Sequence, residues 1–374
     1  MNYLESFPNK VESQISFIKK ILAPYTHRAY LVGGCVRDLF LNYEIQDLDV
    51  EVYDISPVMF DELMLKIGAL GVGKSFFVYK LDNMDLALPR IEHKVGVGHK
   101  AYEVKLCNDE RTASKRRDFS MNAMMINIFD GKLLDFWGGQ NSLKNKTISL
   151  IDENSFKEDS LRVLRAVQFS ARFALQIEEK TLHVMRDINL SDLSKTRIFW
   201  ELEKLFMADD LSFGFTAMCR LKLFEKIFTC TVEPRDAERI EGELKEAVFN
   251  LSGNLRAYYF IYIVANLLNE NPRHWLKMIE APKCYLKVFK NQPFFDKLPS
   301  DKDLAILAID LPIKSWLGNY KKYIVERAKK LDIYESCYTR GITIQSVISD
   351  GFEKENIKIE YRRRVLEKIQ KEFG

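Results

Sequence analysis

Several patterns that mark common kinds of protein are missing from this 374-residue sequence. Its six cysteines are widely scattered and form no C-x-x-C pair, and its five histidines form no H-x-x-x-H pattern. These absences argue against a disulfide framework and against a zinc site. Unpaired thiols are typical of a reducing compartment, so we expect a cytoplasmic protein in which any bound metal is held by carboxylates.

Long apolar runs are missing as well. No stretch of the chain reaches the length that crosses a membrane, and the segment "MNYLESFPNKVESQISF" is too polar to be a signal peptide. We therefore expect no membrane association. The 56 basic and 53 acidic residues nearly balance at a net charge of +3, so the total charge neither requires nor excludes a nucleic-acid partner.

The chain contains two regions of different character. The first, up to about residue 150, mixes helical spacing with short strand-like runs such as "AYLVGG" and "LDVEVYDI". From about residue 155 onward, nearly every segment has helical apolar spacing and is interrupted at Gly or Pro. The sequence therefore predicts an α+β N-terminal part followed by an all-helical part, in a chain long enough for two or more domains.

The segment "GALGVGKS", residues 68–75, fits the phosphate-binding P-loop pattern G-x-x-x-x-G-K-[ST]. A P-loop lies between a strand and a following helix, whose N-terminus faces the phosphates. Here the helical segment "FDELMLKI" comes first and the strand-like segment "FFVYKLD" comes second. We therefore interpret the segment as a helix-to-strand connection, which makes a P-loop NTPase the disfavoured alternative.

The segment "LVGGCVRDLFLNYEIQDLDVEVYD" combines a glycine turn with two carboxylates. Asp47 and Asp49 are two residues apart in a strand-like run, so both point to the same face of the strand. Two like charges this close are unfavourable without a cation, and Mg²⁺ takes oxygen ligands. Gly33 and Gly34 allow the backbone to approach a phosphate, and Arg37 adds a guanidinium. The segment predicts a site for a metal–nucleoside triphosphate complex; an ordinary turn beside an exposed strand is the alternative.

This combination resembles the signature of the polymerase-β-like nucleotidyltransferases, in the form found in bacterial-type (class II) CCA-adding tRNA nucleotidyltransferases and bacterial poly(A) polymerases. The segments "RRDFSMNAM" (116–124) and "EDSLRVLRAVQFSARF" (158–173) are similar to two further motifs of that family, and "KTRIFWELEKLF" (195–206) is similar to a fourth. The resemblance implies a nucleotidyltransferase head with a mixed sheet over residues 1–147. An all-α neck (148–206), body (207–312) and tail (313–374) would follow.

The resemblance also implies roles for the motif residues. Asp47 and Asp49 would hold Mg²⁺ for a two-metal nucleotidyl transfer, while Gly33, Gly34 and Arg37 cradle the triphosphate. Arg117 and Asp118 would position the sugar and phosphates of the nucleotide, with Asn122 as the remaining matching polar residue.

The motif at residues 158–173 is implied to select CTP and then ATP without a nucleic-acid template. Asp159 and Arg162 are three residues apart, so on a helix they share a face, where a carboxylate and a guanidinium match the polar edge of a base. Arg165 would reach the same pocket one turn further on. Gln168 stands where the family usually has Arg, and a surface ion pair between Glu158 and Arg162 is the alternative reading.

A third acidic residue and a loop complete the predicted site. Asp85 lies on a strand-like run that we expect beside the Asp47–Asp49 strand, where it would complete the metal site or orient the primer hydroxyl. The segment from Arg90 to Lys105 is rich in glycine and basic residues and is expected to be a mobile loop. In this family such a loop is implied to help switch nucleotide selection, which draws attention to Arg90 and Glu92.

The tail, residues 313–374, carries 14 basic and 9 acidic residues, and "YKKYIVERAKK" and "YRRRVLEKIQK" interleave aromatic and basic side chains. Such segments suit phosphate contacts with RNA, although solvated helices are an equal alternative. The resemblance implies that the tail holds the tRNA elbow, so the predicted partners are tRNA, CTP and ATP, with no sign of a protein partner. We expect addition of C, C and A to tRNA. Poly(A) polymerase, CC-only or A-only addition, and a non-catalytic RNA-binding module remain alternatives.

Overall fold

The computed structural model describes residues 2–73, 77–94, 102–247 and 253–374. The chain divides into two compact units. The N-terminal unit comprises residues 1–170 and 174–194, and the C-terminal unit comprises residues 171–173 and 195–374.

The described part of the N-terminal unit contains both helices and strands. The helices are α1 (Asn9–Leu22), α2 (Gly34–Leu41), α3 (Pro57–Lys66), α4 (Glu110–Lys115), α5 (Gly139–Lys144), α6 (Glu153–Lys157), α7 (Leu161–Phe173) and α8 (Glu179–Arg186), and the last three residues of α7 are grouped with the C-terminal unit. The strands are β1 (Ala29–Val32), β2 (Leu48–Val52), β3 (Leu70–Gly73), β4 (Val78–Leu81), β5 (Met84–Ala87), β6 (Arg90–Lys94), β7 (Tyr102–Leu106), β8 (Met125–Asn127), β9 (Leu133–Leu134), β10 (Thr147–Ile148) and β11 (Gln176–Ile177).

Seven of these strands form one sheet in the order β3-β4-β5-β2-β1-β8-β9. Its pairs are antiparallel except β2 with β5, which run parallel. The predicted mixed sheet is therefore confirmed. β2 occupies an interior position, and its alternate residues Leu48, Val50 and Val52 are at most 3% exposed. That alternation turns Asp49 and Glu51 to the opposite face.

Two predictions about the segments near this sheet have different outcomes. The P-loop-like segment follows α3 and its described part, residues 68–73, contains β3, so a helix precedes it and a strand lies within it, as the connection reading requires. The prediction of a loop from Arg90 to Lys105 is wrong at both ends, because Arg90–Lys94 and Tyr102–Leu106 pair as antiparallel strands. The sequence has Ile91 in the first run and Tyr102 and Val104 in the second, residue types that favour strands. Residues 95–101 lie outside the described residues, as does the side chain of Glu92.

The described part of the C-terminal unit is helical, as predicted. Its helices are α9 (Lys195–Phe206), α10 (Leu211–Arg220), α11 (Leu223–Phe228), α12 (Pro234–Ala247), α13 (Arg256–Leu267), α14 (Pro272–Met278), α15 (Lys283–Val288), α16 (Asp301–Leu307), α17 (Lys322–Lys330), α18 (Ile344–Ser349) and α19 (Glu355–Phe373). α13 is buried along most of its length, and a separate apolar cluster joins α16, α17 and α19. Among the described residues, no helix combines the length and the apolar composition needed to span a bilayer.

Candidate active site

The acidic residues predicted from the sequence meet at one end of the parallel strand pair. The register of β2 and β5 places Asp49 opposite Asp85. Asp47 immediately precedes β2 and is exposed. Paired residues on neighbouring strands share a face of the sheet, so Asp85 joins Asp49, and the Asp47 carboxylate is close enough to raise the pKa of Asp49. The expectation that the run containing Asp85 lies beside the Asp47–Asp49 strand is therefore met.

The electrostatics of this face favour a cation. Burial raises the pKa of Asp49, and Arg117 opposes that rise. The carboxylates of Asp85, Glu51 and Asp47 raise the pKa further, and the net result lies above the ordinary value. The face thus concentrates negative charge that the chain's own cations do not fully neutralise.

The oxygen atoms present fit a magnesium ion with few protein ligands. Oδ1 of Asp85 is shielded from solvent and accepts no hydrogen bond, although Lys80 Nζ lies 3.9 Å away. No group of three or more His, Cys, Asp or Glu within residues 2–73, 77–94, 102–247 and 253–374 is arranged to hold a metal. Mg²⁺ is commonly held by one or two carboxylates and completes its shell with water and substrate phosphates. Asp49 and Asp85 form such a pair, with Asp47 at the exposed end of the same face.

The glycine turn packs directly against two charged groups. Gly33 has a φ of +75° and caps α2, which begins at Gly34. A Cβ atom on Gly33 would lie 3.1 Å from Arg117 Nη1 and 3.2 Å from Asp49 Oδ2. A larger residue would be strained in this conformation and would crowd both side chains. Glycine therefore lets the turn between β1 and α2 approach the acidic face closely.

Arg37 was expected at the phosphates, but it is 5% exposed and bonded within the protein. Its Nε and Nη2 atoms donate to Asp38 Oδ1 at 2.8 and 2.7 Å, and its Nη1 atom donates to Asn122 Oδ1 at 2.8 Å. Asn122 Nδ2 donates to Asp118 Oδ1 at 2.9 Å, and Asp118 Oδ2 accepts from Arg165 Nε at 2.7 Å. Four residues predicted to bind nucleotide thus form one continuous hydrogen-bonded chain, in which each fixes the next.

The hydrogen-bonded series from Arg37 to Arg165 is anchored to the core through Phe169. The guanidinium carbons of Arg37 and Arg165 lie 5.0 and 5.1 Å from the centre of the Phe169 ring, within the range of cation–π attraction. The ring packs edge-on against Phe119, 6.0 Å away. Burial alone would raise the pKa of Asp118, but Arg165 and Asn122 hold it below its ordinary value, so the carboxylate stays charged. Phe169 therefore joins the first three of the four sequence motifs.

The predicted geometry of the selecting motif is wrong in one respect. Asp159 does not share a helix face with Arg162, because α6 ends at Lys157 and α7 begins only at Leu161. The Asp159 carboxylate accepts from the Leu161 backbone N–H at 3.2 Å, a local bond that competes with helix formation. Arg162 Nη2 donates to the backbone carbonyl of Arg116 at 2.6 Å, so the second and third motifs are nevertheless joined.

Sequence reasoning missed a buried acid, Glu51, which is 2% exposed. Its Oε1 atom accepts from Arg117 Nη2 at 2.8 Å and from Arg116 Nη2 at 3.1 Å, and its Oε2 atom accepts from the Tyr53 hydroxyl at 3.1 Å. The two-residue period of "DLDVE" places Glu51 on the face of Asp49 and could have revealed it.

The basic residues of the tail are largely paired within the protein. Ion pairs with carboxylates involve Lys314, Lys321, Arg327, Arg340, Arg362, Arg363 and Arg364. Several of the partner acids precede the tail in sequence, namely Glu243, Asp301 and Asp310. The local excess of basic residues therefore overstates the positive charge that the tail presents to a partner.

A second basic region lies on the consecutive helices α14 and α15. Residues 273–290 contain five Lys or Arg and a single acid, Glu280. We call the five exposed cations the α14–α15 basic surface; they are Arg273, Lys277, Lys283, Lys287 and Lys290. Within the described residues none of the five forms an ion pair with a carboxylate. Like charges four residues apart on a helix destabilise it slightly, so this arrangement is unfavourable unless an anion covers it.

Two family models match the chain. Residues 29–149 match the poly A polymerase head domain, and residues 174–232 match a probable RNA and SrmB-binding site of polymerase A. The first match covers the acidic face, the glycine turn and the hydrogen-bonded chain as far as Asn122.

Two curated relatives of this chain are CCA-adding enzymes. The chain is 32% identical to a CCA-adding enzyme of Lactococcus lactis subsp. cremoris over 58% of this chain and 55% of that protein, so the match spans about half of the relative's length. It is 27% identical to a CCA-adding enzyme of Actinobacillus succinogenes over 91% of this chain and 98% of that protein.

Solved structures share the fold along nearly the whole chain. The structure of a CCA-adding enzyme in apo form II matches with a TM-score of 0.70 and 21% identity, covering 99% of this chain and 96% of that one. A complex of a CCA-adding enzyme with ATP matches with a TM-score of 0.69 and 20% identity, covering 98% and 91%. In its motifs, its fold and these matches, the chain is similar to the bacterial-type CCA-adding tRNA nucleotidyltransferases and bacterial poly(A) polymerases.

Proposed function

We propose that this protein adds C, C and A to the 3′ end of tRNA from CTP and ATP and releases pyrophosphate. The observation that carries the proposal is the parallel pairing that sets Asp49 opposite Asp85, beside the turn at Gly33. This arrangement offers carboxylate oxygens for a cation next to a glycine turn and the guanidinium of Arg117. The names of the relatives, CCA-adding enzymes that match up to 98% of their own length, support the choice of reaction within the family.

Asp49, with Asp47 or Asp85, would hold Mg²⁺, in keeping with a family that generally uses divalent metals. The bound metal would supply activation of the terminal 3′-hydroxyl and charge stabilisation of the leaving pyrophosphate. The chain's own contribution is positional. Gly33 brings the turn close to the acidic face, and Arg117 presents Nη1 beside that turn to the triphosphate oxygens.

Arg37, Asp118 and Asn122 would act by positioning. Their polar atoms are already bonded to one another and to Arg165, so they hold the second motif in place. Because Asp118 is buried and kept charged by Arg165, loss of either partner leaves the other uncompensated. Each therefore contributes to nucleotide binding through the shape of the pocket.

The choice between CTP and ATP would rest on Asp159 and Arg162. Asp159 lies in the break between α6 and α7, where its position is set by a local backbone bond. Arg162 is fixed by backbone carbonyls of Ser155 and Arg116, at 2.7 and 2.6 Å. A carboxylate and a guanidinium held in this way can discriminate between the donor and acceptor edges of two bases. Asp159→Ala should therefore relax the preference for CTP over ATP, measured with each nucleotide on tRNA lacking its last three residues, while the unfolding temperature is retained.

The RNA would be held chiefly by the α14–α15 basic surface. Its cations are exposed, whereas many of those in the tail are neutralised by carboxylates of the same chain. Phosphates are the natural partners of such a surface, and their contribution falls with salt. The six free cysteines suit a cytoplasmic location, where thiols remain reduced.

A single experiment separates the members of this family. The protein is incubated with tRNA that lacks its 3′ CCA and with each labelled nucleotide in turn. Incorporation of C, C and then A, followed by termination, supports the proposal. A long A tract would assign the protein as a poly(A) polymerase, addition of only CC or only A would assign the partial activities, and no incorporation would refute the function.

A further inference from the structure

The buried carboxylate of Glu51 is not accounted for by the proposed reaction. It lies on β2 one pleat beyond Asp49, and on β1 its register partner is Tyr30. Around Tyr30 and Tyr53 the same sheet face is covered by an apolar cluster that includes Ala113 of α4. Glu51 thus sits where the face changes from an open acidic end to a covered core. A carboxylate in such a place is costly unless it is fully paired.

The pairing of Glu51 is complete and involves both of its oxygens. Arg116 and Arg117 donate to one oxygen and the Tyr53 hydroxyl donates to the other. Tyr53 is itself 1% exposed and packs edge-on against Tyr30 at 5.5 Å. The carboxylate therefore cannot turn without breaking contacts that the core holds in place.

Arg117 lies between two acids, Glu51 and Asp49, so its pairing with Glu51 affects Asp49. Nη2 of Arg117 is bonded to Glu51, while Nη1 lies next to Gly33, close to Asp49 Oδ2. Among the described residues, Arg117 forms an ion pair with Glu51 and none with Asp49. Without Glu51, the guanidinium could turn toward Asp49, which lies on the same sheet face and already interacts with Arg117 electrostatically. An Arg117–Asp49 pair would occupy a carboxylate that the cation needs and a guanidinium that the triphosphate needs.

We propose that Glu51 is a positioning residue that holds the Arg117 guanidinium away from Asp49, so that Asp49 stays available to a divalent cation and Arg117 Nη1 stays directed at the triphosphate. The inference rests on the proposed function for the identity of the nucleotide. Glu51 does not touch the reacting atoms; it acts only through Arg117.

The test is a double-mutant cycle with Glu51→Gln and Arg117→Gln, read by binding as well as by turnover. Mn²⁺ binding is followed by electron paramagnetic resonance on the nucleotide-free protein, and CTP binding is followed by calorimetry without RNA. Glu51→Gln should weaken both by about 10- to 100-fold, the usual effect of losing a residue that orients a ligand. The KM for CTP should rise more than kcat falls.

In the Arg117→Gln background, Glu51→Gln should change Mn²⁺ and CTP affinity by less than about twofold, because the residue through which it acts is gone. Equal losses in both backgrounds would overturn the proposal and would show that Glu51 contributes only general charge. No loss in either background would also overturn it. All titrations are run below the lowest unfolding temperature among the four proteins, so that each is folded when its affinity is measured. The double variant replaces both charged groups with amides and therefore leaves no unpaired charge in the protein interior. If wild-type protein bound CTP but added no nucleotides to tRNA, the proposed function would fail while this cycle could still be read.

Discussion

The tail and the α14–α15 basic surface are both rich in Lys and Arg, but they differ in how many of these charges are paired with carboxylates of the same chain. In the tail, Arg363 and Arg364 share the carboxylate of Glu360, and Arg327 pairs with Asp301 of α16. The α14–α15 cations have no such partners among the described residues. Neutralised charges chiefly fix local structure, whereas uncompensated charges mark surfaces at which an outside ion completes the electrostatics.

The acidic end of β2 and β5 belongs with the uncompensated group. Asp49 has a raised pKa because it is buried among other carboxylates, and the Asp85 oxygen lacks a hydrogen bond. The charge of the expected ion therefore differs between the two regions: a cation is expected at the acidic end of the sheet and a polyanion at the α14–α15 basic surface. The predictions below test the two kinds of region, from the largest expected effect to the smallest.

The largest effect is expected at the uncompensated acids. Asp49→Asn should reduce nucleotide incorporation by more than the roughly 100-fold typical of residues that only orient a metal ligand. It should leave the unfolding temperature unchanged or slightly higher, because one of several crowded like charges is removed. Radiolabelled incorporation and thermal unfolding measure the two quantities. Retained turnover would contradict the role of Asp49, and wild-type protein treated with EDTA serves as the matched loss of metal.

A smaller but distinct effect is expected at the basic surface. Lys283→Glu with Lys287→Glu should weaken tRNA binding on the order of tenfold at moderate salt and lower the slope of log affinity against log salt by about one per lost phosphate contact. The affinity is measured by filter binding over a salt series. At saturating tRNA, kcat should be unchanged.

The matched control reverses two tail lysines that are paired with carboxylates, Lys314→Glu with Lys322→Glu. This double variant carries the same change in charge, but Lys314 pairs with Glu335 and Lys322 with Glu326. If it weakens tRNA binding as much as the α14–α15 variant, the distinction between the two regions is wrong and the tail carries the RNA as the sequence suggested.

The neutralised region should respond to acid. Hydrogen bonds from Arg363 and Arg364 lower the pKa of Glu360 from 4.5 to about 2. A carboxyl group with a lowered folded-state pKa stabilises the fold above its unfolded pKa, and this contribution is lost as the pH falls through the folded-state pKa. The difference in unfolding temperature between wild type and Glu360→Gln should therefore be constant above about pH 4.5 and vanish toward pH 2. A difference that does not depend on pH would contradict the assignment.

The smallest effect is expected from a single partly exposed ion pair between Arg327 of the tail and Asp301 of α16. Asp301→Asn removes the negative charge from the group that accepts from Arg327 Nε at 2.7 Å, and it should lower the free energy of unfolding by about 0–1 kcal/mol, as is usual for ion pairs near the surface. Chemical denaturation measures this change. The affinity for tRNA should stay within about twofold of wild type, since Arg327 and Asp301 neutralise each other in the folded protein.

Local patterns in the sequence were enough to predict the mixed sheet, the helical remainder and the meeting of Asp49 with Asp85. Those features follow from alternation along a strand and from the spacing of apolar residues. The burial of Arg37 could not be predicted, because its partner Asn122 is 85 residues away. The pairing of Glu51 could not be predicted for the same reason, since Arg116 and Arg117 approach it only after folding; its place on the face of Asp49 was within reach of the strand alternation.

Two further errors have local causes that composition does not reveal. The helix expected to begin before Asp159 begins instead at Leu161, because the Asp159 side chain bonds to the backbone and interrupts the turn. The count of charges in the tail omitted Glu243, Asp301 and Asp310, which reach it from earlier helices and loops. An excess of Lys and Arg counted over a segment of sequence gives the number of charges, but it does not show how many of them are left unpaired at the surface.

The parallel pairing of β2 with β5 also sets the order in which the site can form. Parallel neighbours cannot be joined by a tight turn, and here the crossover contains α3, β3 and β4. Asp49 and Asp85 therefore meet only after that crossover has closed, a slow, long-range event compared with the formation of the α2 turn. During refolding, Mn²⁺ binding should appear later than the helical circular dichroism signal. Cation binding would then report when the sheet is complete.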